Sequence, residues 1–171
     1  RAHIVGVARK IFTRYGFRKT TMEQIAASSQ KGKSSIYYYF RSKEEIFRAV
    51  VEKEAEELKQ KLDRTIRKDD VPIEKLKTYI LFRLHHVRTL GNFYAALKEE
   101  QLSQMEFILD IRKRFDQEEL DVVRRILEEG MAEGSFQLSS SEIGAVAIST
   151  MMRGLEQPLL LSEDHKSDRA S

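Results

Sequence analysis

The stretch from Thr20 to Lys43 constrains the fold of this chain more than any other part of the sequence. It reads TTMEQIAASSQKGKSSIYYYFRSK and contains two helical patterns only a few residues apart. Each pattern is too short to form a stable helix in water by itself. Two short helices joined by a tight turn, both needing support from the rest of a domain, are typical of a helix-turn-helix.

The first short helix is marked by the polar residues at its start. Thr21 followed by Gln24 is a capping box, in which each side chain accepts a hydrogen bond from the other residue's backbone N–H. We therefore expect the helix to begin near Met22 and to end near Ser28 or Ser29, where the apolar spacing stops.

The second short helix is expected from Lys33 to Phe40. Helical spacing would bury Ile36 and Phe40 and turn outward Lys33, Ser34, Tyr37 and Tyr38. An aromatic core stripe is the alternative interpretation of the YYYF run. Four consecutive helix positions cannot all face one core, because successive positions lie about 100° apart. Some of these tyrosines are therefore expected to be exposed.

The exposed side of the second helix is chemically suited to double-stranded DNA. Short hydroxyl side chains let a helix approach base edges, and its N-terminal N–H groups favour phosphate. Residues 1–51 contain eleven Lys and Arg against three Asp and Glu, a net charge of +8, whereas the remaining residues carry −5 and the chain +3. Positive charge is thus concentrated on the segment with the motif, as expected for a site that binds a polyanion.

Residues Arg1 to Glu52 resemble the N-terminal DNA-binding domain of the TetR family of transcriptional regulators. The resemblance rests on an AxxIF segment followed by YGF, then on TTMEQIA, IYYYF and SKEEIF. It implies that Tyr37, Tyr39 and Lys43 contact operator phosphates. It also implies that the base-proximal part of the recognition helix consists of Lys33, Ser34, Ser35 and Tyr38. With Thr20 and Thr21 ahead of the first short helix, these residues form the predicted DNA-binding set.

The turn between the two short helices departs from the family pattern. The family usually has Ala-Gly-Val where this chain has Ser29, Gln30 and Lys31, and usually has Ser in place of Gly32. We expect Gln30 to bear the cost of any positive φ in this turn. Either Lys31 extends outward along its aliphatic stem, or the turn differs in shape.

Helical periodicity without any alternating stretch predicts an all-α protein. The expected organisation is a three-helix DNA-binding domain at residues 1–51, with its motif at about 21–40, and a larger helical effector-binding and dimerisation domain at residues 52–171. Helices outside the motif are expected at Arg1 to Tyr15, Lys43 to about Asp69, Pro72 to Gly91, Asn92 to Ser103, Met105 to Met131 and from Glu142 onward. Gly16 should stop the first helix, Ser42 with Glu45 and Ser139 with Glu142 should form capping boxes, Pro158 should end or kink the last helix, and residues 162–171 should form a polar tail.

The family resemblance also implies a homodimer built on two C-terminal helices. The sequence supplies the first of these helices, but the second is not evident. The first helix carries small and apolar residues that suit close packing, namely Gly144, Ala145, Ala147, Ile148 and Met151. One short recognition helix reads few bases. A dimer on an inverted repeat, with half-sites about 34–36 Å apart, is therefore expected.

By the same resemblance, the C-terminal domain should hold a small-molecule effector, largely apolar, whose binding releases the DNA. Aromatic and methionine side chains commonly line such cavities. The candidates are Tyr79, Phe82, His86, Phe93, Tyr94, Phe107, Met151 and Met152. Plain core packing is the alternative for each of them. A group of cationic residues suits either an anionic ligand or a solvated helix face, namely Arg83, His85, His86 and Arg88.

The sequence lacks the patterns that would indicate catalysis. It has no cysteine, which excludes thiolate metal sites and thiol nucleophiles. It has no HExxH, glycine-rich phosphate loop or serine elbow, so neither an enzyme nor a cofactor or metal is expected. The lack of cysteine agrees with the expected cytoplasmic protein. No apolar run approaches the roughly 20 residues that span a bilayer, so no membrane partner is expected.

The prediction is therefore a ligand-responsive, homodimeric transcriptional repressor. A helical adaptor that binds an acidic protein partner, without sequence-specific DNA binding, is the alternative.

Overall fold

The computed structural model describes residues 1–86, residue 92 and residues 105–161, with side chains as far as residue 155. Within these ranges the chain forms helices and no strand, which confirms the all-α prediction. The helices are α1 (Ala2–Lys19), α2 (Met22–Ser28), α3 (Lys33–Tyr39), α4 (Lys43–Thr65), α5 (Pro72–His86), α6 (Glu106–Ala132) and α7 (Ser141–Leu161). None of these described helices is long and apolar enough to cross a membrane.

α1 combines the predicted first helix with a short continuation. Its backbone leaves helical geometry at Gly16, where φ is 77° and ψ is 166°, which confirms the predicted stop. A positive φ suits glycine because it has no Cβ. Beyond the break, the ring of Phe17 lies with its centroid 4.9 Å from that of Phe47 and 5.9 Å from that of Phe12. These ring contacts attach the end of α1 to α4.

The start of α4 differs in one detail from the predicted capping box. The Ser42 hydroxyl accepts a hydrogen bond from the backbone N–H of Glu45 at 3.3 Å, as predicted. The Glu45 carboxylate accepts from the N–H of Arg41 at 2.8 Å, however, and not from that of Ser42. The carboxylate thus satisfies a backbone donor one residue further from the helix.

The chain divides into two compact units. The first contains residues 1–57 and 90–111, and the second contains residues 58–89 and 112–171. The sequence predicts a single boundary, between residues 51 and 52. Side-chain contacts explain why later residues join the first unit. The ring centroid of Phe107 lies 6.4 Å from that of Phe47, and the Asn92 amide donates to the Glu54 carboxylate at 2.7 Å.

A buried polar network joins α1, α4 and Asn92 in the first unit. The Glu54 carboxylate is almost fully buried and accepts from Arg9 Nε at 3.1 Å as well as from Asn92. A second Arg9 nitrogen donates to Glu57 at 2.7 Å, and the Asn92 amide also donates to the Thr13 hydroxyl at 3.1 Å. A buried charge persists only when it is paired and hydrogen-bonded. This network therefore fixes α1 against α4.

The second unit has its own core, to which α5, α6 and α7 contribute. Its buried side chains are Tyr79, Val123, Ile126, Leu127, Ala145 and Met152. α6 lies within one residue of its predicted bounds at each end. The predicted end of α5 near Gly91 lies outside the described residues. So does the predicted helix from Asn92 to Ser103, apart from Asn92 itself.

α7 differs from the prediction at both of its ends. Its first turn is capped by Ser140, whose hydroxyl accepts from the N–H of Ile143 at 3.2 Å, and not by Ser139. The helix continues to Leu161, so Pro158 does not end it. A proline this close to a helix end removes only one backbone hydrogen bond. The predicted polar tail at residues 162–171 lies outside the described residues.

The predicted close-packing face of α7 is only partly correct. Ala145 is buried and Ile148 packs on the same core. Gly144 approaches Leu127 so closely that an added Cβ would lie 2.9 Å from the leucine methyl group. The apolar residues that do point outward form what we term the outer face of α7, namely Ile143, Val146, Ala147, Met151 and Leu155. α7 is therefore apolar on two opposite sides.

Candidate nucleic-acid interface and interior cavity

The two short helices form as the sequence predicts. Thr21 accepts a hydrogen bond from the N–H of Gln24 at 3.2 Å, and the Gln24 side chain accepts from the N–H of Thr21 at 2.9 Å, which confirms the capping box. In and just after α3, Ile36 and Phe40 are each 1% exposed. These two anchors hold one side of α3 against the first unit and leave the other side in solvent.

The turn between α2 and α3 depends on Gln30. Its φ is 53°, whereas Gly32 has an ordinary φ of −61°. The expectation that Gln30 takes the positive φ is therefore confirmed. Ser29 is buried and its hydroxyl donates to the carbonyl of Ala26 at 3.0 Å, while Lys31 is exposed and extends outward. The hydrogen bond of Ser29 therefore stabilises the turn just before Gln30, whose backbone has the unfavourable positive φ.

We predict that Gln30→Gly raises the free energy of unfolding by about 0.5 kcal/mol. Left-handed geometry costs an L-residue about 1–2 kcal/mol, and the extra chain entropy of glycine cancels about 0.5–1 kcal/mol of that gain. Gln30→Val should instead lower stability, because a β-branched side chain tolerates this geometry poorly. Urea denaturation measures both variants. A glycine variant less stable than the native chain would contradict the strained turn.

The side chains on the solvent side of α3 form one surface. Tyr38 is 82% exposed, Tyr39 46% and Tyr37 42%. Lys33 and Ser34 are also exposed and Ser35 is half-buried. We term this set the recognition surface: Lys33, Ser34, Ser35, Tyr37, Tyr38 and Tyr39. The rings of Tyr38 and Tyr39 meet edge to face with centroids 5.0 Å apart, so each limits the motion of the other.

Lys33 is already paired within the chain. Its ammonium lies 2.7 Å from the Glu23 carboxylate, and both side chains are more than half exposed. The hydrogen bond from Lys33 lowers the pKa of Glu23 and raises the pKa of Lys33. A phosphate approaching Lys33 therefore has to share or replace this contact.

Lys43 occupies a fixed position beside the helix-turn-helix. Its ammonium donates to the carbonyl of Phe17 at 2.9 Å and lies 4.3 Å from the centroid of the Phe17 ring. An ammonium has three donor hydrogens, so this bond leaves donors for a phosphate. The side chain is half-buried, which keeps its charge at the surface of the first unit.

Thr20 does not belong to the exposed surface. It is 1% exposed, and its hydroxyl donates to the carbonyl of Gly16 at 2.8 Å. This burial does not support the predicted contact of Thr20 with DNA. The hydroxyl satisfies a carbonyl at the break in α1 and so shapes the corner before α2. Thr21 is exposed, and its hydroxyl hydrogen can still donate while the oxygen caps α2.

The second unit contains a small cavity of about 40 Å³. Its lining combines apolar side chains with charged ones, namely Leu58, Lys59, Leu62, Tyr79, Phe82, Arg83, Phe115, Glu118 and Glu119. By volume it could hold about three water molecules. Because the cavity is open to solvent on the side of Lys59 and Glu118, a larger guest would either project into solvent or displace part of the wall.

A buried polar cluster forms part of the cavity wall. Arg83 and Glu119 are 5% and 6% exposed, and Arg83 Nε lies 3.0 Å from a Glu119 oxygen. The hydroxyl of the buried Tyr79 donates to the same Glu119 oxygen. Burial, and then the negative charge of Glu119, raise the pKa of Tyr79 far above its ordinary value. Tyr79 therefore stays protonated and acts as a donor to Glu119.

The predicted ligand residues do not form one site. Tyr79 and Phe82 line the cavity. His86 stacks on Phe82 with ring centroids 4.0 Å apart, and Met152 is buried in the adjoining core.

Two of the predicted ligand residues do not line the cavity, and two lie outside the described residues. Met151 is 61% exposed because it points away from the core of the second unit. Phe107 packs against Phe47 in the first unit, with the guanidinium of Arg48 5.0 Å from its ring centroid. Phe93 and Tyr94 lie outside the residues that the structure describes.

Sequence reasoning missed the buried carboxylates. Glu119 lies one helical turn from both Phe115 and Val123 on the apolar side of α6. Glu54 lies in the same way between Val50 and Leu58 on α4. A charged residue at the i+4 position between two apolar residues is the signal that could have identified both.

Comparisons with known proteins show which proteins this chain resembles. Residues 4–50 match the family model described as bacterial regulatory proteins, tetR family. The uncharacterized HTH-type transcriptional regulator YfiR of Bacillus subtilis is 29% identical to this chain. The matched region covers 98% of this chain and 83% of YfiR. The HTH-type transcriptional repressor NicS of Pseudomonas putida is 31% identical over 80% of this chain and 66% of its length. A transcriptional regulator from Cytophaga hutchinsonii superposes with a TM-score of 0.75 at 28% identity, covering 90% of this chain and 78% of that one.

Proposed function

Because the chain belongs to the TetR family of transcriptional regulators, we propose that it represses transcription as a homodimer on an inverted-repeat operator and is released by a small molecule. The recognition surface carries this proposal. Hydroxyl groups, a lysine and three exposed tyrosines make up the exposed and half-buried positions of α3, while Ile36 and Phe40 anchor it to the first unit. Such a surface combines groups for phosphates with groups for base edges. An operator-binding protein of this kind acts in the bacterial cytoplasm.

The proposed DNA-contacting residues divide into those that contact phosphates and those that contact bases. We assign phosphate contacts to Tyr37 and Tyr39 on α3 and to Lys43 at the start of α4, each of which carries a hydrogen-bond donor. We assign the base-proximal positions to Lys33, Ser34, Ser35 and Tyr38, of which Ser35 is half-buried and the other three are exposed. Phosphate contacts fix the register of a protein on DNA, whereas base contacts supply its sequence preference.

The outer face of α7 supports the homodimer. A helix that is apolar on all sides is normally buried on all sides. One side of α7 packs on the core of the second unit, yet Ile143 is 69% exposed and Met151 61%. A second copy of the chain would bury these residues and supply the second recognition surface that a palindromic operator needs.

The experiment that tests the proposed function is enrichment of random DNA duplexes on the purified protein. The expected product is an inverted repeat whose half-sites are one helical turn apart, about 34–36 Å. Recovery of duplexes without a common sequence would overturn the proposal and favour an adaptor whose basic surface binds an acidic protein.

Lys43→Ala is expected to weaken binding to all DNA sequences alike. Removing one phosphate contact should reduce the slope of log affinity against log salt by about 1, hence by about 2 for a dimer. Fluorescence anisotropy titrations between low and moderate salt measure that slope. The matched control is Lys61→Ala, which removes an exposed lysine from the part of α4 that lies in the second unit. An unchanged slope in the Lys43 variant would show that this lysine does not contact phosphate.

The interior cavity is the proposed effector site. α4 is one continuous helix that carries Lys43 in the first unit and contributes Leu58, Lys59 and Leu62 to the cavity wall. Because the cavity is only about 40 Å³, an effector larger than a few water molecules has to move part of its wall if it is to lie fully inside. We propose that this displacement is what weakens operator binding.

A further inference from the structure

An ion pair between Lys33 and Glu23 connects the two short helices. Lys33 begins α3 and is the only charged residue in that helix, while Glu23 lies in the first turn of α2. The Lys33 ammonium lies 2.7 Å from a Glu23 oxygen, and the two side chains are 62% and 59% exposed. The single charge on the recognition surface is therefore paired with a carboxylate that is itself exposed to solvent.

Lys43 differs from Lys33 in the charge of its partner. The Lys43 ammonium donates to the carbonyl of Phe17, which is neutral, so Lys43 keeps its whole positive charge. The charge of Lys33 is offset by the carboxylate of Glu23. Attraction to a phosphate depends on the net charge that the phosphate meets. Of these two lysines, Lys43 is therefore the one suited to a phosphate contact.

The Glu23 carboxylate also opposes a phosphate at Lys33 directly. A phosphate oxygen that accepts from the Lys33 ammonium would lie beside a carboxylate of the same sign. A guanine edge carries no net charge and presents two acceptors, N7 and O6, in the major groove. An ammonium has three donor hydrogens, so Lys33 can keep its bond to Glu23 and still donate to both acceptors. The ion pair thus favours a base edge over a phosphate.

We propose that Glu23 is a positioning residue for sequence specificity, which keeps the Lys33 ammonium from the phosphates and directs it to N7 and O6 of a guanine. The inference rests on the proposed operator-binding function and names one base that the recognition surface reads. The Glu23 carboxylate weakens binding to DNA of any sequence, because it lies beside a polyanion. Unrelated DNA is weakened more than the operator, in which the guanine contact remains.

Glu23→Gln tests this role, since it keeps the shape of the side chain and removes its charge. The Lys33 ammonium should then bind phosphate. On an unrelated duplex, the slope of log affinity against log salt should steepen by about 1 for each protomer, hence by about 2 for a dimer. Affinity for that duplex at low salt should rise about tenfold, and affinity for the enriched repeat should rise less. Fluorescence anisotropy titrations measure both duplexes, and an unchanged slope overturns the proposal.

Two further variants show whether Glu23 acts through Lys33. Glu74→Gln makes the same change in net charge and breaks an exposed pair with Lys77 on α5, so it should keep the native slope. In a chain that already carries Lys33→Gln, adding Glu23→Gln should no longer steepen the slope. An equal change with and without Lys33 would mean that the carboxylate repels DNA by itself, which contradicts the positioning role.

The base that Lys33 contacts is identified with a guanine analogue that has carbon in place of N7. Placed at each guanine of the enriched repeat in turn, and in both half-sites, the analogue should weaken native binding about tenfold at one position, as expected for the loss of one good base contact. The Lys33→Gln variant should be insensitive at that position, because it has already lost the donor. An enriched repeat without guanine, or equal losses in both proteins at every guanine, overturns the assignment.

Failure of this inference can be distinguished from failure of the proposed function. If an inverted repeat is enriched but native protein and Glu23→Gln have the same slope on unrelated DNA, Glu23 has no positioning role and the proposed function stands. If no common sequence is enriched, the proposed function fails and the guanine contact fails with it.

Discussion

Met151→Glu is expected to convert the protein into a monomer and to lower its affinity for the enriched inverted repeat by about 10²–10⁴-fold, the usual contribution of a second linked site. Met151 lies in the middle of the outer face of α7 and is 61% exposed. In a two-fold dimer each such residue faces its own copy or a near neighbour. A glutamate there would place two unpaired carboxylates in an apolar interface, at a high desolvation cost.

Sedimentation velocity and anisotropy titrations measure the two effects of Met151→Glu separately. The control is Leu81→Glu on α5, which puts the same charge at a leucine that is 57% exposed. Isolated exposed apolar residues are common on protein surfaces, so this variant should remain dimeric and bind the operator normally. A Met151 variant that stays dimeric at micromolar concentration would place the dimer interface elsewhere.

Arg83→Leu is expected to lower the free energy of unfolding by about 3–5 kcal/mol, the cost of leaving one member of a buried pair without its partner. The Glu119 carboxylate would retain the Tyr79 hydroxyl but lose the guanidinium 3.0 Å away. Since domains of this size are stabilised by about 5–15 kcal/mol in total, much of the protein could be unfolded at 37 °C. Urea denaturation followed by circular dichroism measures the loss.

Two further variants show whether the cost of Arg83→Leu comes from the buried charge. Arg124→Leu on α6 breaks an exposed pair with Asp121, in which both side chains are 42% exposed, and should cost less than about 1 kcal/mol. The double variant Arg83→Leu with Glu119→Leu replaces the buried pair by apolar groups and should recover most of the lost stability. If the double variant is as unstable as the single one, packing and not charge explains the loss.

The helix-turn-helix was predictable because its signals are local. The Thr21–Gln24 capping box and the spacing of Ile36 and Phe40 depend on residues a few positions apart, and the structure reproduces both. The positive φ at Gln30 was expected from the family resemblance, because the family usually has glycine at this position. Thr20 was misplaced because its burial depends on the break in α1 at Gly16, which brings a carbonyl within reach of its hydroxyl.

The second unit was harder to predict because its key contacts join distant residues. Arg83 and Glu119 lie on different helices, and helical periodicity alone does not indicate which charged residues meet in the core. For the same reason the sequence could not assign Phe107 to the first unit. On α7, small and apolar residues cover two opposite sides, so the pattern could not tell the side facing the core from the outer face.

The central claim is that the recognition surface of α3 lies against the operator, and hydroxyl-radical labelling read by mass spectrometry tests it most directly. Tyr38 is 82% exposed and should react rapidly in the free protein. With the enriched inverted repeat bound, oxidation of Tyr37, Tyr38 and Tyr39 should fall severalfold, while the exposed His85 of the second unit should react as before. Unchanged oxidation of Tyr38 in a saturated complex would contradict the account.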